Sequence, residues 1–219
     1  ELVMSLIFAA SRGVYTAGHI MPSHGQTEFE KLKKALSKSM ELRGKTLGIV
    51  GIGRIGQSLA SYALGCGMRV VATDREISNA REIHVELGGQ LIPVSIPMCS
   101  LTELLSQSDV VSVHVPKQPD GSAVLGLNEL MQLPKGAIVV NTSRGGVIDE
   151  DALLQCLNAG HLRAACLDVF IGEPKPRLDL LQHPAVIATP HIGASTSEAQ
   201  ERIGLEIAQQ VKSILEQNA

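Results

Sequence analysis

The chain has 219 residues, of which 44% are hydrophobic, 2% aromatic and 19% charged, and its formal net charge is -3. This composition predicts one large domain or two small ones around an aliphatic core, and the mild acidity argues against nucleic acid as a partner. The opening apolar run, residues 1–10, is far shorter than the roughly 20 residues of a membrane-spanning helix, so we expect no membrane partner either.

The first 44 residues predict helices rather than strands. Residues 1–20 are typical of an apolar helix, residues 22–26 (PSHGQ) of a loop, and residues 28–38 of a charged amphipathic helix. Lysines in the charged segment could face an anionic partner, but glutamates are interleaved with them, so a solvent-exposed helix face is the preferred interpretation. A helix that is apolar on nearly every side is normally buried. This applies to the first helix, whose apolar residues are Leu2, Val3, Met4, Leu6, Ile7 and Phe8.

From Thr46 onward, short β-branched strands alternate with helices. The predicted strands are 46–51, 68–74, 109–115, 137–143, 163–170 and 185–190, with a weak one at 90–94. The predicted helices are 54–67, 78–89, 101–107, 126–134, 149–160 and 196–216. Because the strands lack period-two alternation, we expect both faces of the sheet to be buried. The pattern predicts an α/β fold, a Rossmann-type doubly wound parallel sheet with helices on both faces.

Three glycines, Gly51, Gly53 and Gly56, lie between the first strand and its helix, and Asp74 ends the second strand. In a dinucleotide site such glycines permit the turn, the approach of the pyrophosphate and close packing of helix on strand. The helix N-terminus at Arg54 and Ile55 offers free N–H groups to phosphate. Asp74 can accept hydrogen bonds from ribose hydroxyls and would repel a 2'-phosphate, which favours NAD over NADP. A glycine-rich turn with no ligand is the alternative.

Polar residues follow the other strands where they end, at 114–116, 141–146, 168 and 190–196. Ligands of open α/β sheets bind beyond these carboxyl ends. Arg144 can hold a carboxylate, His191 can move a proton near neutral pH, and Glu173 can orient the imidazole. Each also has a structural interpretation: a surface charge for Arg144, a turn cap for Asp168, a solvated acid for Glu173 and a structural loop histidine for His191.

The four cysteines, Cys66, Cys99, Cys156 and Cys166, lie in apolar stretches without the spacing of metal ligands. We therefore expect buried, reduced thiols in a cytoplasmic protein and no metal site.

Four motifs in order, GIVGIGRIG (48–56), NTSRGGVIDEDAL (141–153), AACLDVFIGEP (164–174) and TPHIGASTSEAQ (189–200), resemble the D-isomer-specific 2-hydroxyacid dehydrogenase family. The resemblance implies catalytic roles for Arg144, Glu173 and His191, namely substrate binding, pairing with the histidine, and proton transfer. It implies that Asp168 contacts the nicotinamide carboxamide. The full set of implied NAD-binding residues is Gly51, Gly53, Arg54, Ile55, Gly56, Asp74, His114, Val115, Pro116, Thr142, Ser143, Arg144, Asp168, His191, Gly193 and Ala194.

The resemblance also implies how the chain is organised and what it does. It implies one NAD-binding domain over residues 1–219, with a helical crossover at 1–44, a returning loop and helix at 191–219, and a substrate domain that is not part of this chain. It further implies a homodimer through the N-terminal helix. The expected activity is hydride transfer between NAD and a D-2-hydroxy acid or 2-keto acid, with 3-phosphoglycerate as the expected hydroxy acid and little turnover by this piece alone. A non-catalytic NAD-sensing module of corepressor type is the alternative.

Overall fold

The computed structural model of the chain describes residues 1–75 and 79–217. Its helices are α1 Leu2–Arg12, α2 Val14–Leu36, α3 Arg54–Gly65, α4 Leu101–Gln107, α5 Leu127–Leu130, α6 Glu150–Asn158, α7 Leu178–Leu181 and α8 Ser197–Gln217. Its strands are β1 Thr46–Val50, β2 Arg69–Thr73, β3 Ala80–Leu87, β4 Gln90–Pro97, β5 Val110–Val113, β6 Ala137–Asn141, β7 Leu162–Leu167 and β8 Val186–Ala188. The six strands that were predicted to alternate with helices are all present.

Six strands form one parallel sheet in the order β2-β1-β5-β6-β7-β8. Every residue of β1, β5 and β6 is buried, because apolar side chains cover both faces. One hydrophobic cluster contains side chains of α1 and α3, and a second contains side chains of α4, α5 and α6. The doubly wound α/β prediction is therefore confirmed. The strand order reverses direction between β1 and β5, which is where such sheets bind ligands.

The apolar helix predicted for residues 1–20 is wrong in its extent, because Gly13, with a φ of 63°, ends α1 and α2 begins at Val14. Helix α1 packs into the first cluster. Val3, Met4, Leu6 and Ile7 are buried there, whereas Phe8 remains 42% exposed. The loop predicted for residues 22–26 is wrong, because this stretch lies inside α2. Within the described chain α2 buries none of its residues, so the polar side chains of this stretch suit a solvent-facing helix as well as a loop.

The helix predicted for residues 78–89 is also wrong, and its first residue lies outside the described residues. Strands β3 and β4 form an antiparallel hairpin instead, joined by Gly88 and Gly89, whose φ angles are 58° and 78°. Two consecutive positive φ angles are typical of a tight hairpin turn, for which a Gly-Gly pair is a sequence signal. Ile83 and Ile96 are 1% exposed and join the cluster that contains α3. Apolar residues at every second position of β3 therefore reflect a strand rather than a helix.

The long C-terminal helix is present as α8, while residues 218–219 of the predicted returning segment lie outside the described residues. Among the helices that the structure describes, none is both long and apolar enough to cross a membrane. All four cysteines are free; Cys156 and Cys166 are buried, but Cys66 and Cys99 are only half-buried. Burial raises the pKa of the Cys166 thiol to about 12, so it stays protonated. The described residues contain no cluster of His, Cys, Asp or Glu suited to a metal ion.

Candidate functional site

The turn between β1 and α3 depends on close backbone approaches at two glycines. Gly51 has a φ of 96°, and a Cβ there would lie 2.7 Å from the carbonyl oxygen of His114. A Cβ at Gly56 would collide with the carbonyl oxygen of Gly51. A Cβ at Gly53, by contrast, would meet no heavy atom of the described residues within 4 Å. The fold therefore requires glycine at positions 51 and 56, whereas Gly53 leaves open space.

Asp74 is tied to this turn by its carboxylate. Its Oδ2 accepts a hydrogen bond from the backbone N–H of Ile52 at 2.9 Å, and its Oδ1 accepts one from that of Arg75 at 2.7 Å. Each carboxylate oxygen can accept more than one hydrogen bond, so capacity remains for hydroxyl donors. The N-terminus of α3, which begins at Arg54, is capped by no side chain among the described residues. Its first N–H groups are therefore suited to an anionic group.

Two adjoining cavities extend from this turn along the carboxyl edge of the sheet. The larger, of about 650 Å³, is lined by Glu1, Leu2, Val3, Arg54, Ile55, Ser58, Leu59, Tyr62, Thr142, Arg144, Asp168, His191, Gly193, Ala194 and Arg202. The smaller, of about 220 Å³, is lined by Ile55, His114, Val115, Pro116, Thr142, Ser143 and Arg144. Most residues predicted for the site therefore lie around these two cavities, which share Ile55, Thr142 and Arg144. Of the predicted residues, Gly51, Gly53, Gly56, Asp74 and Glu173 do not line either cavity.

The loop after β6 is folded around the side chain of Asn141. Its Oδ1 accepts hydrogen bonds from the backbone N–H of Ser143 at 3.0 Å and from its hydroxyl at 2.9 Å. Its Nδ2 donates to the carbonyl oxygen of Arg144 at 3.0 Å. The exposed Arg144 guanidinium thus stands on a fixed backbone beside the cavity.

Asp168, at the end of β7, is 0% exposed and holds the loop that carries His191. Its Oδ1 accepts hydrogen bonds from the hydroxyl of Thr189 at 2.6 Å and from the N–H of Ile192 at 2.8 Å. Its Oδ2 accepts one from the N–H of Gly193 at 2.9 Å. His191 lies between Thr189 and Ile192 in the chain. Its backbone φ angle is 55°, which is uncommon for a residue other than glycine. The buried carboxylate therefore holds a strained backbone in place.

His191 and Glu173 form the polar pair that the sequence predicts. Nδ1 of His191 lies 2.8 Å from Oε2 of Glu173, and Oε1 of Glu173 accepts a hydrogen bond from the N–H of Phe170 at 2.9 Å. Both contacts lower the pKa of Glu173 below its ordinary value, and the hydrogen bond with His191 has the larger effect. Since an ionised carboxylate only accepts hydrogen bonds, Nδ1 carries the proton in this pair and Nε2 is left free for a neutral imidazole to act as a base.

His114 has a different environment at the other end of the space. Burial lowers its pKa to about 4, so it is neutral near pH 7. Its Nε2 lies 2.9 Å from the hydroxyl of Ser112. Its buried Nδ1 has no hydrogen-bond partner among residues 1–75 and 79–217. This ring contributes packing rather than charge to the site.

The residues present fit a dinucleotide. The larger cavity lies within the roughly 300–1,000 Å³ that is typical of ligand sites. The uncapped N-terminus of α3 offers N–H groups to a phosphate, and the open space at Gly53 leaves room beside them. The Asp74 carboxylate can accept hydrogen bonds from ribose hydroxyls.

Seven residues that line the larger cavity are not among the predicted site residues, namely Glu1, Leu2, Val3, Ser58, Leu59, Tyr62 and Arg202. Tyr62 lies on the same face of α3 as Ile55 and Ser58, and that three-to-four-residue spacing was a signal that could have identified it. Arg202 reaches the cavity from α8, and no local pattern in the sequence predicts that approach.

Comparison with known proteins gives a consistent result. Residues 4–193 match the family described as D-isomer specific 2-hydroxyacid dehydrogenase, NAD binding domain. The chain is 39% identical over 215 residues to D-3-phosphoglycerate dehydrogenase of Mycobacterium tuberculosis, covering 98% of this chain and 38% of that protein. It is 39% identical to hydroxypyruvate reductase of Thermotoga maritima, covering 96% of this chain and 64% of that protein.

A solved structure supports the same fold. The crystal structure of a glyoxylate reductase from Paecilomyes thermophila superimposes with a TM-score of 0.80 at 29% identity, covering 97% of this chain and 60% of that chain. The chain thus spans between about two fifths and two thirds of the length of these proteins.

Proposed function

The chain belongs to the D-isomer-specific 2-hydroxyacid dehydrogenase family and carries its NAD-binding domain, and we propose that it is the cofactor-binding part of an oxidoreductase that interconverts a D-2-hydroxy acid and its 2-keto acid. When bound, NAD, the cofactor of this domain family, would accept hydride from C2 of the substrate or donate hydride to it. The observation that carries the proposal is the 2.8 Å contact between His191 and Glu173, whose histidine lines the same cavity as Arg144.

In this proposal His191 is the proton carrier. Glu173 holds the proton on Nδ1, so the lone pair of Nε2 can accept the hydroxyl proton during oxidation and return it during reduction. Arg144 presents a planar guanidinium that can bind a carboxylate through two hydrogen bonds. Asp168 holds the loop of His191, and its nicotinamide contact remains a proposal.

The remaining residues are proposed to bind the cofactor. Gly53 and the start of α3 face the pyrophosphate, and Asp74 faces the adenosine ribose. The walls are formed by His114, Val115, Pro116, Thr142, Ser143, Gly193 and Ala194. A carboxylate at Asp74 favours NAD, because the 2'-phosphate of NADP would be repelled.

The substrate is proposed by analogy. 3-Phosphoglycerate, whose oxidation is the first step of serine biosynthesis, is our candidate, because a relative 39% identical is named as its dehydrogenase. Hydroxypyruvate is the competitor, since a second relative of equal identity is named as its reductase. Assay of the full polypeptide that the gene encodes with both compounds distinguishes them by kcat/KM. A higher kcat/KM for hydroxypyruvate would reject our candidate.

The test of the proton carrier is His191→Ala, made in a chimera that joins this chain to the substrate domain of a relative. Loss of a general acid or base lowers kcat by roughly a hundredfold or more. Affinity for NAD, measured by calorimetry, should stay within about twofold because the phosphate and ribose contacts lie elsewhere. His84→Ala, at an exposed position of β3, serves as the matched control. Wild-type turnover in His191→Ala would reject this role and favour the NAD-sensing module.

A homodimer is part of the proposal, with support that differs from the sequence argument. Of the α1 residues that suggested it, Val3, Met4, Leu6 and Ile7 are buried in the chain's own core. Helix α2 instead exposes Val14, Tyr15, Met21 and Phe29, at 40% to 60%. A helix with no buried face is marginal alone, so a second copy is its proposed cover. Light scattering should show a dimer that Phe29→Glu dissociates and exposed Leu91→Glu does not. A wild-type monomer at high concentration would contradict this.

A cytoplasmic location is likewise proposed. It is supported by the four free cysteines, because reducing compartments keep thiols unpaired. Localisation of a fluorescent fusion in the source cells tests it, and an extracytoplasmic signal would contradict it.

A further inference from the structure

Glu150 is a buried acid to which none of the roles above applies. It is the first residue of α6, yet only 7% of its surface is exposed, whereas the neighbouring Asp151 side chain is 85% exposed. Glutamate is almost never buried at this level unless it is paired. The N-terminus of α6 does not require it, because Asp149 already accepts hydrogen bonds from the N–H groups of Asp151 and Ala152. The burial of Glu150 therefore calls for another explanation.

The partner of Glu150 is a backbone group of the loop after β7. Its Oε1 accepts a hydrogen bond from the N–H of Ile171 at 2.7 Å. Burial raises the pKa of Glu150, an effect that this hydrogen bond and the charge of Arg177 oppose. Arg177 itself is engaged by Asp151 and Asp179, which act on Glu150 with the opposite sign.

The Phe170–Ile171 backbone is held from three sides. Glu150 accepts from the N–H of Ile171, and Glu173 accepts from that of Phe170. On the third side the backbone of Gly145 packs so closely that a Cβ there would meet the carbonyl oxygen of Phe170. Gly145 follows Arg144 in the chain, so this segment connects the arginine loop with the carboxylate that pairs with His191.

We propose that Glu150 is a positioning residue for the reaction: by fixing the Phe170–Ile171 backbone it sets Glu173, and through it His191, relative to Arg144. The inference rests on the proposed function for the roles of His191 and Arg144. It extends that function to a residue that lines neither of the two cavities. Its physical basis is the buried carboxylate of Glu150, which accepts a hydrogen bond from the Phe170–Ile171 segment that also binds Glu173.

The test uses two substitutions of Glu150 in the chain as it stands. Glu150→Met fills the same buried space but removes the acceptor, and Glu150→Gln keeps a carbonyl oxygen that can accept from Ile171. The titration of the Glu173 carboxyl is followed by carbon-13 NMR, and the exchange of the Ile171 amide by hydrogen exchange. In Glu150→Met the pKa of Glu173 should rise toward its ordinary value and the Ile171 amide should exchange at least about tenfold faster. Glu150→Gln should restore both.

Asp149→Ala is the matched control, because it removes the cap of α6 and leaves the acceptor for Ile171 in place. It should lower the thermal midpoint without moving the Glu173 titration. An unchanged Glu173 titration in Glu150→Met overturns the proposal. So does a Glu150→Met chain that fails to fold while Asp149→Ala and Glu150→Gln fold, since Glu150 would then serve the fold itself. These readouts need no turnover, so their failure is distinct from wild-type turnover in His191→Ala.

Discussion

The two ends of the site are held together by different means. At the cofactor end, Gly51 and Gly56 allow backbone groups to approach within distances that any side chain would prevent. At the reaction end, Asn141, Asp168 and Glu173 place acceptor atoms under loops from three different strands. One end is therefore built by the absence of side chains in the turn between β1 and α3, and the other by polar side chains whose oxygens accept hydrogen bonds from loop N–H groups.

This difference teaches what each end tolerates. A glycine position with close backbone neighbours does not tolerate added side-chain volume, whatever the charge of that side chain. A buried carboxylate is intolerant of a change from acceptor to donor, even when the volume stays the same. Substitutions that separate volume from hydrogen bonding should therefore affect the two ends in opposite ways.

The largest effect should come from Asp168→Asn at the reaction end. The volume is almost unchanged, but an NH₂ group replaces an oxygen that faces the N–H of Gly193 or Ile192. Two unsatisfied donors in a buried site should cost about 4 kcal/mol in the free energy of unfolding, measured with urea. Asp120→Asn, on an exposed turn held by Ser122, is the control and should change it by less than about 0.5 kcal/mol. Equal losses in the two variants would contradict the account.

At the cofactor end, Gly56→Ala and Gly53→Ala add the same methyl group to different surroundings. The first forces a Cβ against the carbonyl oxygen of Gly51 and should cost about 3 kcal/mol of stability. The second enters open space and should cost less than about 1 kcal/mol while weakening NAD binding, since the pyrophosphate is proposed to lie there. Urea unfolding and calorimetry measure both. A stable Gly56→Ala beside an unstable Gly53→Ala would reverse the comparison.

A smaller, pH-dependent effect should arise from His114. Its folded-state pKa of about 4 is below the ordinary value of 6.5, so the folded chain binds fewer protons than the unfolded chain between these values. Stability should therefore fall as the pH falls, by about 2 kcal/mol between pH 7 and pH 5. Urea unfolding at both pH values, with His114→Gln as the variant, isolates this contribution. If the variant loses as much stability on acidification as the wild type, His114 is not buried in its neutral form.

Most of the sheet could be predicted because its strands and helices are local patterns. Short runs rich in β-branched residues predict β1, β5 and β6. The spacing of Ser100 and Glu103 is typical of a helix N-terminus, and the structure shows a capping box there at the start of α4. The failures have physical reasons too. Residues 22–26 are polar in an exposed helix. The predicted helix over 78–89 is a hairpin, which the alternation of Ile83 and Val85 and the Gly88–Gly89 pair indicate.

The site could be predicted in its members more fully than in its architecture. Arg144, Asp168 and His191 follow strands, so their convergence is a consequence of a parallel sheet. That Asp168 anchors the loop of His191, and that Glu150 accepts from Ile171, depends on contacts between residues more than 20 positions apart. No local period or motif carries that information.

The most direct test of the central claim, that the chain is an NAD-binding domain whose cofactor end is complete, is calorimetric titration of the chain with NAD and NADP. The account predicts saturable one-site binding of NAD, weaker binding of NADP, and a smaller difference between the two in Asp74→Ala, because the carboxylate that repels the 2'-phosphate is gone. Equal affinity of the wild-type chain for both dinucleotides, or no heat of binding with either, would contradict it.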